Sequence, residues 1–309
     1  MSVLAADVAP RTVVHHGAVL DLPPVQGERL RPRLQAAHVL VTVAVLAAWT
    51  LLHLLVLSGV EQGRAQVGLY DQLRSDLAEG TVPVGAGAQP GDPLALLSVP
   101  AIGLDRVVAV EGARPAQLQD GPGHVPGSVL PGQQGVSVLA GRSLTHGAPF
   151  ADLTSLRTGH LVEVTTQQGD FIYTVTGLRR EGDPVPGKLA EGAGRLVLVT
   201  AGREGSSGLA SLRAGEILYV DAELAEGAVA PGPVSTTDPA ARWMDAGVST
   251  TDATQVVLAL QVLALVLAGT FWCRRRFGTG ATAVVALPCL VAAAWLTSSL
   301  AARLLPGLV

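Results

Sequence analysis

Three long apolar stretches decide what this chain of 309 residues can fold into. They lie at residues 36–60, 255–273 and 281–302. A helix needs roughly 20 apolar residues to cross a bilayer, and each stretch is close to that length or longer. The mean hydropathy of +0.41 is high for a water-soluble chain. The sequence therefore predicts three transmembrane α-helices, with one large polar segment between the first and the second.

Arginines beside these stretches predict their orientation. Arg29, Arg31 and Arg33 precede the first stretch, and three consecutive arginines at 274–276 separate the second from the third. Basic residues are retained on the cytoplasmic side of a membrane. We therefore expect a plasma-membrane protein with a cytoplasmic N-terminus and an extracytoplasmic main domain. The first stretch starts too late for a cleaved signal peptide, which favours a retained anchor.

The polar segments differ in composition. Residues 1–35 are polar, contain proline and lack helical periodicity, which predicts a disordered cytoplasmic tail. Residues 61–93 combine an amphipathic helical pattern with a linker rich in glycine and proline. Residues 225–254 are rich in Gly, Pro, Ser and Thr, which predicts a flexible tether. We expect a cytoplasmic Arg-rich turn at 274–280 and an extracytoplasmic tail at 303–309.

Residues 94–224 have the pattern of a compact β-rich domain. Short apolar runs alternate there with turns that contain glycine or proline, and the runs at 161–166 and 171–176 form a predicted hairpin around Gln168-Gly169-Asp170. Many short strands separated by such turns favour a β-sandwich or a closed barrel.

Several functional classes are excluded by what the sequence lacks. The net charge of −4 gives no reason to expect a nucleic-acid partner. Both cysteines, Cys273 and Cys289, lie in or beside apolar stretches, where they suit neither a disulfide framework nor a metal site. The chain has no Walker loop, dinucleotide fingerprint or EF-hand. We therefore expect no cofactor and no metal.

A series of short phrases in the β-rich region carries a family resemblance. In chain order they include Val99-Pro100-Ala101-Ile102-Gly103-Leu104-Asp105, Gly121-Pro122-Gly123-His124, Leu130-Pro131-Gly132-Gln133 and Thr145-His146-Gly147-Ala148-Pro149-Phe150. This order resembles the sortases, the transpeptidases that attach proteins to bacterial surfaces, and most closely their class E type from actinobacteria. The resemblance covers about residues 94–224. It implies an eight-stranded β-barrel at the cell surface, next to the cell wall.

The resemblance also implies where the functional residues would lie. An active sortase has a histidine, a cysteine and an arginine, and the corresponding positions here are Arg142, Ala201 and Ile217. Arg213 lies four residues before Ile217, and a small gap would bring it to the arginine position. The resemblance thus implies a degenerate member that lacks the catalytic cysteine and histidine.

The chemistry of the family depends on the two lost side chains. A thiolate must attack the peptide carbonyl to form an acyl-enzyme, and alanine offers no nucleophile. Arginine stays protonated at physiological pH, so it cannot exchange a proton as a general acid or base. Loss of the nucleophile alone removes most of the catalytic rate. These substitutions predict a non-catalytic pseudo-sortase.

A substitute nucleophile is the main alternative. Ser143, Thr200, Ser206 and Ser207 lie near the two lost positions, and His146 is the nearest imidazole. A Ser–His pair also needs an orienting carboxylate and oxyanion donors, and no Gly-x-Ser-x-Gly elbow is present. An active hydrolase or transpeptidase with a Ser or Thr nucleophile therefore stays an alternative, as does a structural subunit of a membrane assembly.

The candidate contacts for a ligand in the groove are Ser143, His146, Thr200, Arg203 and Arg213. Arginines around the former active site would suit an acidic group, since guanidinium binds carboxylates well. A solvated loop histidine and ordinary surface arginines are the simpler alternatives. We expect the protein to bind a sorting-signal peptide, a surface protein or an active sortase at the membrane.

Two further histidines have simpler expected roles. His53 lies within the first apolar stretch, where an ionisable residue is a functional hypothesis, but its place near the outer end favours an ordinary role. His124 lies in a loop rich in glycine and proline, which predicts a structural role in a turn.

Overall fold

The computed structural model describes residues 14–15, 18–19, 27–85, 87–202, 216–224, 226–233, 250–304 and 308, with side chains from residue 40 onward except at 277 and 279–281. The chain divides into two units, Met1–Ala47 and Ala48–Val309. In the first unit, β1 (Val14–His15) pairs with β2 (Ala18–Val19), and helix α1 (Gly27–Leu52) begins.

Among the described residues, three helical segments are long and apolar enough to cross a membrane: Leu40–Glu79, Thr250–Arg276 and Thr282–Ala302. The first segment joins α1 to α2 (Ser58–Glu79) through a π-helical turn at His53–Leu57. The other two lie within α3 (Thr250–Phe277) and α4 (Thr279–Ala302). These helices confirm the prediction of three membrane-spanning segments by length and composition.

The helix ends differ from those suggested by hydropathy. α1 begins at Gly27, within the predicted tail, and α3 begins at Thr250, within the predicted tether. α3 also continues through the three arginines at 274–276. Arginine is a good helix former, and cations are favoured at a helix C-terminus. The connection between α3 and α4 is therefore the single residue Gly278, in place of the predicted turn at 274–280. Its φ of 86° suits glycine.

Eight strands form a closed barrel in the order β10-β8-β7-β3-β4-β5-β6-β9. Their bounds are β3 Pro93–Val99, β4 Leu104–Glu111, β5 Gly123–His124, β6 Gly135–Ala140, β7 Leu161–Thr166, β8 Gly169–Arg180, β9 Gly194–Ala201 and β10 Ile217–Leu224. Within this ring the pairs β4–β5 and β6–β9 are parallel. The predicted eight-stranded β-barrel is confirmed.

The segment after β10 is attached to the barrel where it begins. The carbonyl of Val229 accepts a hydrogen bond from the amide of Gln134, and the amide of Val229 donates to the carbonyl of Gly132. The chain at Val229 is therefore bonded to the barrel, whereas the sequence predicted a flexible tether from residue 225 onward. Composition alone misses these hydrogen bonds because they join segments that are far apart in the sequence.

β9 separates two apolar clusters, and all eight of its residues are buried. Leu196 and Leu198 point into the barrel core, where they pack with Leu97, Tyr173 and Val220. The alternate residues of the strand form a second cluster on its outer face: Val197, Val199 and Ala201 pack there with Ala113, Leu118, Val125, Ala140 and Leu308. Successive side chains of a strand point to opposite faces, so β9 can support both clusters.

Helix α2 packs directly on the barrel. Leu73 of the helix is buried against Val82 and Val108. Gln66 adds three hydrogen bonds: its amide nitrogen donates to the carbonyls of Val108 at 3.0 Å and Asp120 at 2.7 Å, and its oxygen accepts from the amide of Val108 at 2.7 Å. The first membrane-spanning segment is therefore continuous with a helix fixed to the barrel.

Replacing Gln66 tests this attachment. Gln66→Ala leaves the amide and carbonyl of Val108 without their side-chain partner, so the free energy of unfolding should fall by about 1–3 kcal/mol. Thermal unfolding of the full chain in detergent, followed by circular dichroism, measures the change. Gln72→Ala on the exposed face of the same helix is the matched control and should unfold like the parent chain. Equal melting temperatures for both variants would contradict the attachment.

Candidate functional site

The three family positions lie at the same end of neighbouring strands. Ala201, at the end of β9, pairs with Ile217 at the start of β10. β6 runs parallel to β9, and the amide of Gly141 just after β6 donates to the carbonyl of Val199 at 2.9 Å. Arg142 follows immediately. The fold thus brings Arg142, Ala201 and Ile217 to one edge of the barrel.

Ala201 lies in an apolar environment. Only 6% of its surface is exposed, and it belongs to the outer cluster on β9. Ile217, its cross-strand partner, packs against the same cluster. The two positions that the resemblance assigns to the cysteine and the arginine therefore contribute packing here.

Arg142 is fully buried and bonded to the protein itself. Its guanidinium donates to the carbonyl of Leu118 at 3.2 Å, the carbonyl of Pro115 at 3.1 Å and the hydroxyl of Thr145 at 3.0 Å. Burial lowers the pKa of Arg142 to about 10, so it stays charged at neutral pH. Arg142 is therefore not an ordinary surface arginine: its bonds to Pro115 and Leu118 hold the 115–118 segment on the barrel.

Four residues considered from the sequence lie outside the described part of the chain. They are the candidate contacts Arg203 and Arg213 and the alternative nucleophiles Ser206 and Ser207. The candidates Ser143, His146 and Thr200 are all described and all buried.

The hydroxyls of Ser143 and Thr200 both donate to carbonyl oxygens. Thr200 Oγ1 donates to the carbonyl of Gly141 at 2.8 Å. Ser143 Oγ donates to the carbonyl of Leu308 at 3.1 Å, and the amide of Ser143 donates to the same oxygen at 3.0 Å. A hydroxyl nucleophile must instead give its proton to a base. This arrangement is suited to holding a peptide carbonyl, since two donors converge on one oxygen.

His146 is a buried neutral imidazole. Only 2% of the residue is exposed, and Nδ1 has no hydrogen-bond partner among the described residues. Burial lowers the pKa of His146 to about 3, and the positive charge of Arg142 and the nearby His53 add to the effect. The alternative of a solvated loop histidine is therefore wrong.

The loop that carries His146 has an unusual backbone. His146, Gly147 and Ala148 have φ values of 52°, 69° and 45°, so three successive residues are left-handed. The left-handed conformation costs non-glycine residues roughly 1–2 kcal/mol each. Contacts with the first turn of α2 stabilise this loop: the amide of His146 donates to Ser58 Oγ at 3.0 Å, and a Cβ at Gly147 would collide with Gln62.

A second polar group lies below this loop, where the π-helical turn meets α4. Ser299 Oγ donates to Glu61 Oε1 at 3.1 Å and lies 3.2 Å from His53 Nε2, while Glu61 lies 3.6 Å from the same nitrogen. A Ser–His–carboxylate triad has its acid on the other ring nitrogen. This order of contacts therefore does not provide a base for Ser299. Sequence reasoning missed Glu61 and Ser299, although polar residues at the edge of an apolar stretch were a signal.

A Ser–His–Glu group also occurs on the barrel. His124 Nδ1 lies 2.8 Å from Glu111 Oε2, and His124 Nε2 lies 2.9 Å from Ser128 Oγ. His124 Nε2 is also 3.0 Å from the carbonyl oxygen of Val129, while the hydroxyl of Ser128 donates to the carbonyl of Val125 and accepts from the amide of Val138. The hydroxyl of Ser128 is therefore engaged with the barrel backbone as well as with the imidazole. This group fixes the turn after β5.

The closed eight-stranded barrel is similar to a known family of domains. Residues 97–215 match the family model of the sortase domain. This part of the chain therefore belongs to the sortase family. The search of curated proteins finds no match to the chain.

Several solved sortases have a similar fold. Sortase D5 transpeptidase of Clostridium perfringens is 18% identical and covers 53% of this chain and 99% of its own, with a TM-score of 0.42. Sortase C of the same species, solved with the C-terminal cell wall sorting motif, is 20% identical over 54% of this chain and 90% of its own, with a TM-score of 0.38. A lid mutant of sortase A from Corynebacterium diphtheriae is 19% identical over 53% and 95%, with a TM-score of 0.37.

The buried state of His146 predicts a loss of stability in acid. Its ordinary pKa is 6.5 and its folded pKa is about 3, so below pH 6.5 the unfolded chain binds a proton that the folded chain does not. The free energy of unfolding should then fall by at most about 1.4 kcal/mol per pH unit from pH 6.5 downward. Chemical unfolding at pH 7, 6 and 5 measures this slope.

His146→Asn is the matched variant, because asparagine tolerates the left-handed backbone of this position. It should unfold with a shallower dependence on pH than the parent chain. Equal slopes for the two chains over pH 7 to 5 would contradict the neutral, buried state of His146.

Proposed function

We propose that this protein is a membrane-anchored, non-catalytic sortase-fold protein that binds a sorting-signal-like peptide at the outer surface of the plasma membrane. One observation carries the proposal. The amide and the hydroxyl of Ser143 both donate to the carbonyl of Leu308, and the Leu308 side chain is buried in the cluster that contains Ala201. The former catalytic edge thus already holds a peptide carbonyl and an apolar side chain.

The loss of catalysis is supported by the same residues. The cysteine position is a buried alanine, and the histidine position is an arginine whose donors are bonded to the 115–118 segment and Thr145. Binding needs a shaped groove with donors, whereas acyl transfer also needs a nucleophile and a base. The alternative of a Ser or Thr nucleophile has less support, because Ser143 and Thr200 both donate their protons to carbonyls.

The contacts of the helices support the proposed location. The last turn of α4 and the first turn of α2 meet through Ser299 and Glu61, and Ser58 of α2 contacts the loop of His146. Both spans therefore reach the barrel at the same edge. Together with the arginines at 274–276, this favours a cytoplasmic N-terminus and an extracytoplasmic barrel in an actinobacterial cell envelope.

Peptide binding by the full chain tests the proposal. We expect labelled sorting-signal peptides to bind the protein in lipid nanodiscs in a saturable manner, measured by fluorescence anisotropy. Mass spectrometry of the same samples should find every peptide intact. Ala201→Leu fills the apolar floor of the groove and should abolish binding, and its melting temperature reports whether the barrel is folded.

Ala190→Leu is the matched control, because it makes the same exchange on an exposed loop. This variant should bind like the parent chain. Cleavage of any peptide would overturn the non-catalytic assignment. The peptide-binding assignment would be overturned if the peptide bound neither to the parent chain nor to a chain in which the Leu308 contact is weakened.

A further inference from the structure

We infer that the chain supplies its own ligand for this groove: the segment after α4 binds there through Leu308, and a peptide from another protein can bind only in its place. The binding of Leu308 follows from contacts within the chain. The competition with a second peptide rests on the proposed function.

The contacts of Leu308 have the form of a bound peptide residue. Its carbonyl accepts two hydrogen bonds from Ser143, at 3.0 Å from the amide and 3.1 Å from the hydroxyl. Its side chain is 8% exposed and belongs to the outer cluster of β9 with Leu118 and Ala201. The groove therefore recognises a main-chain carbonyl and an uncharged aliphatic side chain together.

The preceding helix positions this segment. Leu308 follows Ala302, the last residue of α4, by six positions, so the connection spans at most about 20 Å. The end of α4 is itself fixed, because Ser299 donates to Glu61. A short tether of this kind gives a ligand an effective concentration in the millimolar range. A separate peptide of similar intrinsic affinity would therefore bind weakly.

The positive charge of Arg303, just after α4, supports the placement of this segment beside the barrel. The guanidinium of Arg303 donates to Gln255 Oε1 at 3.4 Å. It also lies near Asp120: burial raises the pKa of Asp120, and the positive charge of Arg303 opposes that effect. Asp120 lies two residues after the 115–118 segment that Arg142 holds, so the charge of Arg303 acts on the part of the barrel beside the groove.

A cysteine at position 201 reports whether the groove is covered. The reporter is Ala201→Cys in the full chain in nanodiscs, with Cys273→Ser and Cys289→Ser to remove other thiols, and the probe is a maleimide. Leu308→Asp should raise the rate of labelling about tenfold or more, because a buried carboxylate is disfavoured and the segment leaves. Val185→Asp on an exposed loop is the control and should leave the rate unchanged.

A cysteine pair tests the contact directly, without a destabilising charge. Ser143→Cys with Leu308→Cys, in the same background without native cysteines, should form a disulfide in nanodiscs under mild oxidation, because the two backbones are in hydrogen-bond contact. Val185→Cys with Leu308→Cys should not. Unchanged labelling in Leu308→Asp together with no 143–308 disulfide would overturn the inference.

The peptide assay separates this inference from the proposed function. If both hold, Leu308→Asp should bind the labelled peptide about tenfold more tightly than the parent chain, since the internal ligand is removed. A 143–308 disulfide without peptide binding by either chain would support the binding of Leu308 and overturn the proposed function. Tight peptide binding by the disulfide-linked chain would overturn the competition.

Discussion

The outer face of β9 must be covered, and the arrangement of the site follows from this requirement. The strand is buried on both sides, and its outward residues, Val197, Val199 and Ala201, are all apolar. Leaving such a face in water would forfeit the free energy gained by burying apolar surface, about 25 cal/mol per Å². The cover has two parts. Leu118 comes from a segment held by Arg142, and Leu308 comes from the segment after the last membrane helix.

Side chains at the edge of the barrel where β9 ends contribute to packing and to internal hydrogen bonds. Arg142 bonds to carbonyls of the 115–118 segment, and Ala201 is part of an apolar cluster. Nearby, His146 is neutral, and its backbone is fixed by a hydrogen bond to Ser58 in the first turn of α2. This edge of the barrel is therefore also where the barrel meets helix α2.

Much of the fold could be predicted from local sequence, because apolar length determines membrane helices and short apolar runs between turns determine strands. β5 was missed because a strand of two residues has no periodicity. The hairpin turn was predicted at residues 168–170. In the structure Thr166 pairs with Gly169, so the turn consists of Gln167 and Gln168. At the site, the resemblance placed Arg142, Ala201 and Ile217 at one edge, but it gave no sign that Leu308 would lie there. A contact between residues 143 and 308 depends on how the membrane helices pack, which no local pattern encodes.

The measurement that tests this account most directly is the environment of Leu308 in the intact protein. Methyl-labelled protein in nanodiscs allows nuclear Overhauser effects to be recorded between the Leu308 methyl groups, the amide of Ser143 and the methyl of Ala201. The account predicts cross-peaks from Leu308 to Ser143 and to the outer cluster of β9. Leu308 methyl signals at random-coil positions, with no cross-peak to the barrel, would contradict it.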